Sequence, residues 1–139
     1  MSRKKEPLWL ALLEVLAVHE MLLALHGGAI GIRDRGLLES ALGRPQNSWA
    51  YERADLFALA AAYADGIANN HPFIDGNKRT AFIAAALFLE TNGYEFIAPE
   101  EEVVAMTLAL ADKTLPPKQY ARWLQDRSVP RLRRAGEDA

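Results

Sequence analysis

The run AFIAAALFL, Ala81 to Leu89, is the longest stretch of the chain without a polar side-chain atom. It is far too short to cross the roughly 30 Å hydrocarbon core of a bilayer as a helix. A helix that is apolar on every side has to be wrapped in protein instead. Its flanks agree: KRTAFIAAALFLETN, Lys78 to Asn92, reads as one helix, stopped by Gly93, a good left-handed cap. The chain therefore needs other helices to surround this one.

The remaining segments supply them. Leu8, Leu12, Val15, Leu16, Leu22 and Leu23 recur at helical spacing until Gly27-Gly28 ends the pattern. His19 and His26 share that stripe and are expected to be core histidines with hydrogen-bond partners. The basic start and apolar run of MSRKKEPLWLALLEVLAVHE imitate a signal peptide, but Glu14 interrupts the run and the helical periodicity continues past it. Asp34 is placed to cap a short helix ending at Leu42, where Gly43 and Pro45 break it, and RPQNSWAYER reads as loop. A strong amphipathic helix is expected from Ala54 to about Asn69. Pro99, followed by three glutamates, opens a helix to about Lys113, and Pro116-Pro117 opens the last, to about Asp126. Tyr94 to Ile97 is the one strand-like piece. These signals define an all-α fold, a compact bundle around the central helix Lys78 to Asn92, in a single domain spanning 1–126. Residues 127–139 have little to bury and are expected to form a flexible tail.

Bulk composition narrows the function. The 139 residues suit one domain, and half of them are hydrophobic, enough for a real core. Sixteen basic residues against eighteen acidic ones leave a net charge of -2. No bulk field therefore points to a direct nucleic-acid or membrane partner, and any anion must be held locally. The chain has no cysteine, which excludes disulfides and thiolate metal sites and fits a cytoplasmic location.

Chemistry concentrates in HPFIDGNKRT, His71 to Thr80. Pro72 disfavours helical geometry for His71, so the preceding helix ends there and the imidazole is presented from a loop. Gly76 permits a left-handed step, and Asn77 is a favourable N-cap for the helix at Lys78. Phe73 and Ile74 are expected to anchor this elbow to the core. Lys78 and Arg79 are the wrong sign for the positive end of a helix, where acids are preferred. A polyanion such as a nucleotide phosphate on the elbow removes the mismatch. Asp75 beside such phosphates suits a Mg²⁺ ion, and His71 suits proton abstraction near neutral pH. A base, a metal and preorganised cations are the parts that phosphoryl-group transfer requires. GNKRT lacks the first glycine of a P-loop, and none of the three histidines is followed by aspartate, which argues against an HD-type phosphohydrolase.

The motif resembles the signature of the Fic/Doc superfamily. Fic enzymes typically carry HPFxDGNGRxxR; here Lys78 replaces the second glycine and Phe82 the final arginine, both departures shared with the Doc branch of toxins. The similarity extends through GGAIGIRDRGLLESALGRPQNSWAYE, DLFALAAAYADGIANNHPF and ALFLETNGY, from about Glu14 to Leu124. The resemblance implies a bundle of about six helices. It implies a toxin that moves the γ-phosphate of ATP, with Mg²⁺, to a protein hydroxyl on translation elongation factor Tu, arresting translation. It implies His71 as general base, Asp75 as metal ligand or orienter, and Gly76, Asn77, Lys78 and Arg79 as phosphate cradle. It also implies an antitoxin partner with a segment that folds on binding. A lysine in place of glycine fills space that would wrap an α/β-phosphate and supplies a mobile point charge, which argues against ordinary AMP transfer. Fic-type AMP or other nucleotide transfer is the first alternative. A helical module that binds nucleotide without turnover is the second.

Overall fold

The computed structural model describes residues 5–132, which form six helices and two short strands: α1 (Leu12–His26), α2 (Arg35–Glu52), α3 (Leu56–Asn70), α4 (Asn77–Thr91), β1 (Tyr94–Phe96), α5 (Glu100–Ala111), α6 (Pro117–Asp126) and β2 (Ser128–Pro130). The all-α bundle expected from the sequence is present. Its central member, however, is α3. Every residue from Leu59 to Ala68 is buried, and α2, α4, α5 and α6 all pack on it. Small residues make this possible: a methyl group at Gly66 would lie 3.1 Å from Ala41 Cβ and 3.2 Å from Ala41 Cα, so α2 and α3 cross almost backbone to backbone. α4 buries one face, through Thr80, Ala81, Ala84, Ala85, Phe88 and Leu89, while Phe82 and Ile83 on another side are only half-buried. That second side forms one wall of a cleft.

The largest departure from expectation is α2. It runs straight through Gly43 and Pro45 to Glu52, across the segment read as loop. An interior proline costs a helix about 3 kcal/mol and a glycine about 1 kcal/mol. Against this, the helix buries Leu38, Ala41, Leu42, Pro45 and Trp49 along one face, and a fully buried large apolar side chain contributes roughly 1.5 to 3 kcal/mol. Burial wins. The helix is well terminated too, by the Asp34 carboxylate accepting from Leu37 N–H at 3.0 Å and by Arg53 in a left-handed conformation at its end.

Glu14, the charge that interrupts the apolar N-terminal run, accepts from the Ala11 N–H at 2.8 Å and so caps the start of α1. Asp55 caps α3 by accepting from Phe57 and Ala58 N–H at 2.9 Å each. β1 pairs antiparallel with β2, Glu95 opposite Val129, so Ser128–Pro130 join a sheet in place of the flexible tail expected over 127–139; residues 133–139 of that segment lie outside the described residues. Glu102 at the start of α5 accepts from Arg127 Nε at 2.6 Å and Nη2 at 3.0 Å, and from Trp123 Nε1 at 2.6 Å. These donors hold its carboxyl below the usual carboxylate range. Deeper in, the Thr107 and Tyr120 hydroxyls bond at 2.9 Å, and burial pushes the Tyr120 phenol up to about 12.

Candidate active site

Between α3 and α4 the chain makes the elbow that the motif encodes. α3 ends at Asn70, and His71 takes a left-handed conformation, φ 48° and ψ 55°, that turns the chain out of the helix. Phe73 is buried and pairs with Ile32 in an isolated antiparallel bridge, so the loop before α2 lies alongside the motif. Ile74, expected as a second anchor, is instead exposed and lies over Gly31. Gly76, φ 79°, is the N-cap of α4, and Asn77 is the first helical residue rather than the cap. The Asn77 side chain has another task. It accepts from Phe73 N–H at 3.0 Å and donates to the Phe73 carbonyl at 2.9 Å, closing the loop as a strand partner would. What Asn77 can offer an anion is therefore its backbone N–H.

His19 is the buried histidine that the periodicity predicts. Its ring stacks on Phe73 at 3.7 Å and 9°, and Nε2 donates to the Asp75 carbonyl at 2.8 Å. His26 departs from expectation: it is exposed at the end of α1, where the stripe runs out of core to face, and lines the cleft. The Asp75 carboxylate accepts from Gly76 N–H at 2.8 Å and Ala29 N–H at 3.3 Å, one oxygen each. Its seat depends on Gly28, because a methyl group there would come within 2.8 Å of Asp75 Oδ2.

These parts converge on a cleft of about 910 Å³. His71, Asp75, Gly76, Asn77, Lys78 and Arg79 all line it, and the four charged or titratable side chains among them are exposed to it. The N-cap Gly76 has no side chain with which to cap α4, and the first helical residues, Asn77, Lys78 and Arg79, all line the cleft, so the N-terminal end of the helix lies at the cleft together with two cations. An anion is well served there by the unpaired N–H groups, the helix dipole and both side chains together. The rest of the lining is largely apolar, with Phe82 and Ile83 from α4 and Phe96, Ile97, Val104 and Leu108 from the β1–α5 region. Among the described residues no group of three or more His, Cys, Asp or Glu side chains is placed to hold a metal. Asp75 alone, with lone pairs left on both oxygens, fits a Mg²⁺ ion that draws its other ligands from phosphate and water. Two residues that touch the motif were not singled out by the sequence, Gly28 and Arg33. Both lie in a glycine-rich loop remote in sequence, which the Ile32–Phe73 pairing and backbone bonds such as Ile74 N–H to the Gly31 carbonyl bring to the motif.

Residues 9–89, more than half of the chain, match the sequence profile described as the Fic/DOC family. The chain belongs to the Fic/Doc family. Its relatives place it with the Doc branch: it is 43% identical over 89 residues to Protein kinase doc of Escherichia phage P1, covering 63% of this chain and 71% of that protein. It is also 46% identical over 76 residues to Toxin Doc of Mycolicibacterium smegmatis (strain ATCC 700084 / mc(2)155), covering 52% of this chain and 57% of that relative. In this Fic/Doc chain the matched region contains α1 to α3, the elbow and most of α4. The apolar lining residues of the β1–α5 region, Phe96 to Leu108, lie beyond it.

Proposed function

We propose that this Fic/Doc protein is the toxin of a toxin–antitoxin module and a protein phosphotransferase. It moves the γ-phosphate of ATP to a hydroxyl of translation elongation factor Tu and so arrests translation in the cytoplasm. The observation that carries the reading is the shared cleft, where His71, Asp75 and a helix N-terminus with Lys78 and Arg79 come together. The names of the two relatives, a protein kinase and a toxin, support it.

In this reading the acceptor oxygen bonds to the γ-phosphorus while its proton passes to the His71 imidazole. The bond between that phosphorus and the β,γ-bridging oxygen breaks, and ADP leaves. Lys78, Arg79 and the first amides of α4 hold the phosphate oxygens and stabilise the charge that develops on them. Mg²⁺, when bound, neutralises phosphate charge, and Asp75 is the carboxylate that holds it. An antitoxin chain, through a disordered segment that folds on binding, supplies restraint.

Purified protein, elongation factor Tu and ATP labelled at the γ- or α-phosphate test the proposal. Label from γ-labelled ATP alone is expected on the factor, and His71→Ala should lower the rate by on the order of 10² to 10⁴. Transfer from α-labelled ATP would make the protein a nucleotidyltransferase. Binding of ATP with no transfer to any protein of a lysate would leave a nucleotide-binding module.

A further inference from the structure

We propose that Arg33 is a positioning residue for His71, an assignment that rests on the transfer reading above. The backbone at His71 is unfavourable in isolation. A non-glycine residue in the left-handed region is strained, and the residue before a proline prefers extended geometry, which would carry the imidazole elsewhere. The hydrogen bond from the His71 N–H to the Ile67 carbonyl is long, at 3.3 Å. Something else has to hold the turn.

Arg33 does so from the far side of the loop pairing. Its Nη2 donates to the Asn70 carbonyl at 2.7 Å and its Nε to the His71 carbonyl at 2.6 Å. Its own N–H and that of Asp34 donate to the Pro72 carbonyl at 2.7 and 3.0 Å. Three successive carbonyls, one on either side of His71 and its own, are thus held by one dipeptide. The planar guanidinium fork spans two neighbouring carbonyls at once, which a lysine ammonium does not reproduce. Arg33 forms no salt bridge among the described residues, so its charge is directed at the carbonyl end of α3 and at the turn. It lies behind the backbone of His71 and acts through it. The fold itself has independent support, since α3 is buried along ten consecutive residues, Leu59 to Ala68.

Arg33→Ala and Arg33→Lys, assayed with γ-labelled ATP and elongation factor Tu, separate positioning from mere helix capping. For Arg33→Ala we expect kcat to fall roughly ten- to hundredfold, as for a misplaced reacting group, with KM for ATP and the melting midpoint near those of the parent. Arg33→Lys should recover part of kcat. In ¹H–¹⁵N spectra the His71 signals of Arg33→Ala should shift or double while those of Leu59 and Phe88 stay in place. An unchanged kcat, or a loss confined to KM, overturns the assignment. If Arg33→Ala melts early, Arg33→Lys decides by the same criteria. If the parent itself transfers no label, the transfer reading fails, and undisturbed His71 signals in Arg33→Ala would then overturn the positioning role separately.

Discussion

Asn77 shows how a polar residue of the HPFIDGNKRT motif can be committed to the backbone. Its side-chain amide satisfies both the N–H and the carbonyl of Phe73 in a buried setting. Removing it leaves two buried polar groups without partners, each costing about 1 to 3 kcal/mol. Asn77→Ala should therefore destabilise the fold by roughly 2 kcal/mol or more in urea unfolding. Asn77→Asp keeps only the acceptor half and should fall between. If Asn77→Ala unfolds at the parent's urea midpoint, the clamp is not what holds the loop. Around it, the side chains left facing the cleft, His71, Asp75, Lys78 and Arg79, were legible from their types and spacing alone. Their supports were not: Arg33, Gly28 and His19 reach the motif only through folding, at separations of 37 to 56 residues in sequence for the hydrogen-bonded pairs of Arg33 and His19.

At the scale of elements, α2 and α3 cross closely at Gly66 and Ala41. Gly66→Ala weighs two opposing effects. Replacing a helix-interior glycine by alanine gains up to about 1 kcal/mol in propensity. The new methyl would press on Ala41 Cβ and Cα at 3.1 and 3.2 Å, and these belong to a helix that yields only by moving as a whole. Overpacking of this kind costs typically 1 to 3 kcal/mol, so net destabilisation of about 1 kcal/mol is expected in chemical denaturation. A more stable Gly66→Ala protein would mean that α2 shifts freely. The same crossing explains why α2 continues through Pro45. Local chemistry argues for a break there, and the buried face from Leu38 to Trp49 overrules it.

Across the whole molecule, the Glu102–Arg127 pair, joined by Trp123, ties the start of α5 to the end of α6 and so closes the bundle beside the cleft. The Glu102 carboxyl is held below its ordinary value by hydrogen bonds first from Arg127 and then from Trp123. A depressed carboxyl contributes stability above its unfolded pKa, and the contribution is lost as pH falls through the folded value. Glu102→Gln should accordingly melt below the parent at pH 7, with the difference shrinking through the acid range and vanishing once the parent's carboxyl is protonated. A gap that persists undiminished at low pH would assign the effect to packing. Sequence by itself determined the helical class, the positions of most helices, the elbow and the groups it presents. Those depend on local propensity, on apolar periodicity and on residue chemistry, which are written in neighbouring positions. Only the tertiary structure decided that α3 occupies the centre, that α2 survives its proline, that Ser128–Pro130 join a sheet, and that Arg33 reaches His71. Each of these depends on burial or on a partner distant in the chain, and burial is a property of the assembled fold.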